Sequence, residues 1–423
     1  MAITDINAYA HLTDDDVAAL GADLDALRRR VETDRGVRDA TYLRRTILAQ
    51  RVLEAAGRLV LWNNRSRLEW VMGTALLSTA KIIENMELGH NVMHGQWDWM
   101  NDPEVHSTSW EWDMVCAAPH WKHSHNYVHH KYTNVVGMDH DVGYRLLRVT
   151  RDEPWTPKHI AQPVANLILA ATFEWGIALH DLELKEVVMG NKPWSVAKPQ
   201  LKDFLAKVGK QLVKDYALFP ALSGRRAART MSANLAANVA RNLWAYVVIF
   251  CGHFPDGAEK FTVESLQDET PGQWYLRQML GTANFRAGTA MAFMSGNLCY
   301  QIEHHLFPDL PSNRYAEMSV EIQRLCAEYD LPYTTGSLGR QYWQTLRTIM
   351  KLTLPDRFLT ATADDAPETA SERRFAVTAQ FEGAVDAVAQ RMEGLRSGEF
   401  GPRVRRGLKT AIAERRSRRR VAV

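Results

Sequence analysis

Apolar and polar positions along the chain fall into three regimes. Residues 1–60 space Leu and Val among Arg, Asp and Ala with a helical period and no strand alternation, which predicts amphipathic helix. From 70 to about 310, apolar segments alternate with polar ones. "WVMGTALLSTAKIIENMELGH" (70–90) begins apolar and acquires Lys81, Glu84 and Glu87. "IAQPVANLILAATFEWGIAL" (160–179) is broken only by Glu174, and "MSANLAANVARNLWAYVVIFCGHF" (231–254) by Arg241 and its Asn residues. "AGTAMAFMSGNLCYQI" (287–302) is a shorter fourth. No stretch of 18 or more residues is free of charge, the usual signature of a membrane span. Two readings stay open from hydropathy: buried core helices, or membrane helices whose ionisable groups face an interior polar site.

The intervening segments are polar. "GQWDWMNDPEVHSTSWEWDM" (95–114) breaks helical periodicity with Pro, Asn and Asp and predicts a loop. Its Trp97, Trp99, Trp110 and Trp112 suit either a membrane–water boundary or a core. Residues 185–215 are basic and predict a cytosolic helix. "TATADDAPETASERR" (360–374) reads as a linker, followed by one amphipathic stretch and a basic run. There is no internal repeat and no strand pattern, so the predicted class is all-α. Three regions follow: an N-terminal cytosolic helical region at 1–65, a core at 66–355, and a polar linker with a basic tail at 356–423.

Charge changes this picture little. The net charge of +2 hides a tail in which residues 403–420 carry nine Arg or Lys against one Glu. That tail suits an acidic partner, anionic lipid or plain solvation. The four cysteines, Cys116, Cys251, Cys299 and Cys326, form no CxxC pair, which is the usage of a reducing compartment. The first twenty residues lack a basic n-region and an apolar h-region, so no secretory signal is predicted.

The histidines carry the chemistry. "HNVMH" sets His90 and His94 four apart, hence on one helical face. "HNYVHH" sets His125 and His129 on one face with His130 about 100° further round. "QIEHH" places Gln301, His304 and His305 at i, i+3 and i+4. A lone i, i+4 pair is commonly a surface coincidence; three such clusters beside apolar segments are not. His253, in "CGHFPDG", is the natural eighth imidazole. His106, His120, His123 and His140 read as supporting or solvent-facing groups, and His11, His159 and His180 as structural ones. Eight imidazoles exceed the three or four ligands of a zinc site but suit two metal ions with open positions, for which redox-active iron is the standard choice. "ELGH" (87–90) is half of a carboxylate-bridged di-iron signature, but no second copy exists, so that reading is rejected.

These boxes, HxxxH at 90–94, HxxxHH at 125–130 and QxxHH at 301–305, resemble those of integral-membrane fatty acyl desaturases. The flanking words "ENMELGHNVMHGQWDWMNDP", "HNYVHHKYTN", "FCGHFPDGAEKFT" and "GNLCYQIEHHLFPDLPSNR" look closest to actinobacterial acyl-CoA 9-desaturases, over a likeness running to about residue 375. The resemblance implies a membrane-embedded helical bundle under a cytosolic helical cap, in the cell membrane with the site facing the cytoplasm. It implies two iron ions held by His90, His94, His125, His129, His130, His253, His304 and His305, with Gln301 standing where many relatives have histidine. It also implies oxygen-dependent insertion of a cis double bond, at the Δ9 position, into a long-chain acyl-CoA such as stearoyl-CoA.

The chain has no cysteine set for an iron–sulfur cluster and no GxGxxG opening a βαβ unit. The electrons therefore have to come from a separate NAD(P)H-dependent flavin and iron–sulfur reductase. The remaining partners implied are acyl-CoA, dioxygen and membrane lipid, with no nucleic acid. Lys122, Lys131, Arg145, Arg148 and Arg151 suit either a phosphorylated headgroup or a plain positive surface. Two alternatives remain at this level: a lipid hydroxylase or ketolase with similar boxes, and a membrane zinc hydrolase or metal-loaded receptor.

Overall fold

The structure is a computed structural model that describes residues 2–6 and 11–359. The predicted linker and basic tail lie outside the described residues from 360 onward. The chain is predominantly helical, as the patterning predicts. α1 (Asp14–Asp34) starts where Thr13 caps it: its hydroxyl accepts from the Asp16 amide, and Asp16 returns the bond. Asp14, Asp15 and Asp16 lie against the positive end of the helix dipole. Gly36 then separates α1 from α2 (Val37–Trp62), so the predicted N-terminal helical region is two helices.

α2 and α3 (Arg67–Ile82) form an antiparallel hairpin whose close approach is written in two glycines. A Cβ at Gly57 would lie 3.0 Å from the Leu77 amide, and one at Gly73 would lie 2.7 Å from Leu61 side-chain carbons. α3 runs on through a wide π-helical turn, Ile83–His90, into Asn91–Met93, carrying the first histidine pair. The second box is built the same way. α4 (Ala118–Trp121) opens into a π-helical turn, Lys122–His129, that closes on His130–Tyr132. Such turns are rare and concentrate at functional sites.

α5 (Gln162–Ala171) and α6 (Phe173–Asp181) are the two halves of the predicted 160–179 segment, broken at Thr172. α7 (Trp194–Leu212) leads to α8 (Ala227–His253), which at 27 residues is about 40 Å long and ends on His253. α9 (Pro271–Gly281) is capped by Thr270, with Pro at its first position. β1 (Asn284–Arg286) pairs in parallel with β2 (Thr335–Ser337), a three-residue ribbon that the patterning did not predict. α10 (Thr289–Met294), α11 (Gln301–Leu306), α12 (Tyr315–Glu328) and α13 (Leu338–Lys351) complete the fold.

Two large apolar clusters result, beside two smaller ones. One gathers Trp121, Phe173, Tyr246 and Phe250 around α8. The other gathers Leu20, Leu276, Leu306 and Ile322 from α1, α9, α11 and α12. Trp97 and Trp112 are core residues, 1% and 3% exposed, which decides between the two roles open to them. Among the described residues, Gly224–His253 is the helix long and apolar enough to cross a membrane.

Candidate metal centre

All nine predicted site residues are buried, and they converge between the two apolar clusters. The ligating atoms of His90, His94, His125 and His304 lie within 4.8 Å of one another. Those of His129, His253 and His305 form a second such group, and His130 joins His304 and His305 in a third that overlaps both. His90 Nε2 and His304 Nε2 come within 3.3 Å. Gln301 Nε2 lies 3.0 Å from His253 Nε2. The glutamine seats there because Gly252 leaves room: a Cβ at 252 would stand 2.8 Å from Gln301 Cγ.

The hydrogen bonding has a direction. The outer nitrogens are engaged: His129 Nδ1 lies 2.9 Å from Asp139, His125 Nδ1 3.4 Å from Asp141, and His304 Nδ1 3.1 Å from the Tyr315 hydroxyl. His305 Nδ1 lies 3.2 Å from Gln278 Oε1 and from Thr133 Oγ1. The inner atoms are left over. Nε2 of His94, His125, His129 and His305, both nitrogens of His130, Nδ1 of His253 and Oε1 of Gln301 are buried without a partner. Buried polar atoms are nearly always satisfied, so this many orphans gathered in one cluster call for a partner. The outer contacts orient the imidazoles and fix their tautomers, as they do around metal ligands generally.

Electrostatics agree. Burial and then neighbouring imidazoles hold His125, His130, His304 and His305 well below the usual histidine range, so these rings are neutral with free lone pairs. His129 differs: burial pushes it down, but Asp139 and Asp141 outweigh burial and raise it. A cation placed among these nitrogens would take over the role of the proton. The residues therefore fit a nitrogen-rich, two-position metal site.

Sequence reasoning missed Asp139, Asp141, Gln278 and Tyr315. The pattern Asp-His-Asp at 139–141, ten residues after His129, was the available signal for the first two. Of the basic residues, Arg148 is fully buried and held by Asp356 at 2.6 Å and by the Glu153 carbonyl, so it faces no headgroup. Lys122 donates to the Ser107 carbonyl, while Lys131 lies exposed over the rings of Tyr127 and Tyr132.

A narrow cavity lies against His90 and His125. Met86, Trp112, Tyr144, Phe173 and Ile249 make its wall mostly apolar, with Asn85, Ser124, Asp141 and Asp181 as polar exceptions. Its lining, apolar with a few polar groups, is of the kind that takes an apolar small molecule.

A buried cluster of imidazoles that could hold a metal ion thus lies beside an apolar cavity. The fatty acid desaturase family model matches residues 68–337, and the chain belongs to that family; it is an oxidoreductase, a fatty acid desaturase. The chain is 58% identical over 424 aligned positions to the NADPH-dependent stearoyl-CoA 9-desaturase of Mycobacterium tuberculosis, covering 99% of this chain and 96% of that one. More distantly, it is 26% identical to the acyl-lipid (8-3)-desaturase of Physcomitrium patens, over 56% of this chain and 50% of that one. It is also 21% identical to the sn-1 linoleoyl-lipid 6-desaturase of Synechocystis, over 62% of this chain and 74% of that one.

Proposed function

We infer that this desaturase inserts a cis double bond at the Δ9 position of a long-chain saturated acyl-CoA such as stearoyl-CoA. The full-length likeness to a stearoyl-CoA 9-desaturase supports the substrate and position. The observation that carries the mechanism is the set of inward-facing nitrogens without partners. Two iron ions fit them, with His90, His94, His125 and His304 at one position, His129, His253 and His305 at the other, and His130 between. Gln301, whose Oε1 is a free acceptor, completes the second set.

Iron supplies the activation of dioxygen that removal of hydrogen from unactivated methylenes requires. The chain's own residues do the rest. Asp139, Asp141, Tyr315 and Gln278 hold the imidazoles in their tautomers. The cavity wall fixes one carbon–carbon bond of the acyl chain beside His90 and His125 and excludes water there.

Membrane attachment has its own support. Leu59, Trp62, Leu68 and Val71 on the α2–α3 hairpin, Val164, Leu167 and Ile168 on α5, and Met231, Leu235 and Leu243 on α8 are exposed apolar side chains. Contiguous apolar surface of this kind marks an interaction with lipid or protein. On α8 Met231 and Leu235 lie toward the end remote from His253, which supports reading the histidines as part of a cap beside the bilayer, facing the cytoplasm. Because α2 shares this surface, only α1 of the N-terminal region belongs wholly to the cap. The desaturase unit is residues 66–355, and the tail beyond 356 is dispensable for metal binding. Electrons come from a separate NAD(P)H-dependent flavin and iron–sulfur reductase.

The test is expression with such a reductase in a host lacking its own 9-desaturase. Mass spectrometry should locate a new double bond at carbon 9, and metal analysis should find two irons per chain. A hydroxylated product, or a single zinc, would overturn the reading.

A further inference from the structure

Asp181 has no place in the scheme so far. It ends α6 half-buried, and its carboxyl lines the same cavity as His90 and His125. A wall that only holds hydrocarbon gains nothing from a carboxyl group, and burying one costs desolvation. Its contacts are specific. Cys116 Sγ donates to Oδ2 at 3.0 Å, and the hydroxyl of Ser124, the residue before His125, also donates to it. Neither partner is a cation.

We propose that Asp181 is the proton donor of this cavity, passing a proton to oxygen as oxygen is reduced to water beside His90 and His125. The inference rests on the fatty acyl desaturase reading, and its chemistry follows from the balance. Converting –CH2–CH2– and O2 into –CH=CH– and two waters takes two electrons and two protons beyond the hydrogens of the substrate. The electrons come from the nicotinamide-fed reductase. The protons come from solvent, and the imidazoles cannot supply them while their lone pairs serve the metal. Its O–H bond breaks toward the cavity, and the carboxylate left behind takes a proton back from solvent.

The surroundings favour a carboxyl that keeps its proton at neutral pH. Burial, then the nearby Asp141 and Glu183, push Asp181 up to about 7 against the pull of Cys116 and Ser124. The titratable groups facing it are Cys116 from the loop before α4, Asp141 and Tyr144 from the loop after the second box, and Glu183 just beyond its own helix. A donor whose value lies near working pH is best matched to its task. Asp141, the other acid of this wall, is already engaged by His125 at 3.4 Å and His129 at 3.8 Å.

The experiment compares wild type with Asp181→Asn and Asp181→Glu in the full chain, loaded with iron and supplied with reductase, stearoyl-CoA and oxygen. Asp181→Asn should keep its iron and its KM for stearoyl-CoA. Its kcat should fall on the order of a hundredfold, and it should lack the decline in kcat expected of wild type as pH rises through about 7. The solvent deuterium isotope effect should rise, and Asp181→Glu should recover most of the rate. Independently of turnover, the infrared band of a protonated carboxyl should titrate near neutral pH in the iron-free protein and be missing from Asp181→Asn. Wild-type rate and pH profile in Asp181→Asn, or an unchanged infrared spectrum, would overturn the proposal. If Asp181→Asn does not fold, Ser124→Ala and the wild-type infrared titration decide it: no carboxyl band near neutral pH overturns it. A wild type that makes no olefin overturns the functional reading instead, a result distinct from either.

Discussion

Two buried polar regions, both in or beside apolar helices, are built on opposite principles. Around Lys81 the lysines, arginines and aspartates pair off, and only Glu84, beside the Asp113 amide, stands without a cation of its own among the described ion pairs. Lys81 Nζ lies 2.9 Å from Asp215 and 3.2 Å from Asp113, and Arg58 lies 2.9 Å from the other Asp215 oxygen. Lys214 pairs with Asp113, and Arg241 on α8 pairs with Glu174 on α6. Asn234 and Asn238 donate to the Asp215 carbonyl and carboxylate. Around His130 the reverse holds: the outer edge is bonded and the inner edge is bare. Satisfied buried charge fixes how helices meet. Unsatisfied buried nitrogen, gathered at one point, is a place kept for something else.

This contrast can be broken or sharpened by experiment, from the largest expected effect to the smallest. His129→Ala or His304→Ala should abolish iron loading and turnover together, and the iron-free protein should also melt lower, because the bonds to Asp139 or Tyr315 are lost with the ring. Metal analysis beside product analysis checks this, and full turnover in either variant would refute the assignment. Lys81→Met should do the opposite. It leaves Asp215 buried against a single cation, so stability should fall by about 3–5 kcal/mol, while the protein that remains folded still binds iron.

Asp139→Asn should lie between, weakening metal binding about 10–100-fold without unfolding, measured by chelator competition. Replacing both members of the Arg241–Glu174 pair by apolar residues should cost much less than replacing Arg241 alone, since a buried pair and its apolar substitute are often close in free energy. A thermal double-mutant cycle gives the difference.

The smallest effect is one of pH. Asp181 holds its proton more tightly folded than unfolded, so its contribution to stability is greatest below its ordinary value and is lost as pH rises toward about 7. Asp181→Asn should therefore gain in melting temperature relative to wild type between pH 4 and 7, and the gap should level off above.

The sequence exposed the second region far better than the first. Imidazole spacing of i, i+4, found twice and joined by a Gln-x-x-His-His box, is a local signal, and it led to His90, His94, His125, His129, His130, His304 and His305, with His253 and Gln301 beside them. The interrupted apolar segments were legible only as a puzzle. Glu174, Arg241 and Lys81 looked like faults in hydrophobic helices, because their partners lie far off in the chain; Lys81 and Asp215 are 134 residues apart. Period counting cannot see such pairs. Nor does it register π-helical turns, which change the pitch for one turn inside an otherwise continuous helix. The β1–β2 ribbon escaped because three residues are too few to show alternation.

Gly252 gives the long helix α8 a mechanical meaning. With no side chain there, the backbone of α8 rests directly on Gln301, without a compliant methyl or methylene between them. The far end of the same helix carries Met231 and Leu235 outward. A rigid rod touching the catalytic floor at one end and its apolar surroundings at the other is a lever with almost no slack. Any tilt imposed on Met231 is therefore delivered to Gln301 as displacement instead of being absorbed along the way.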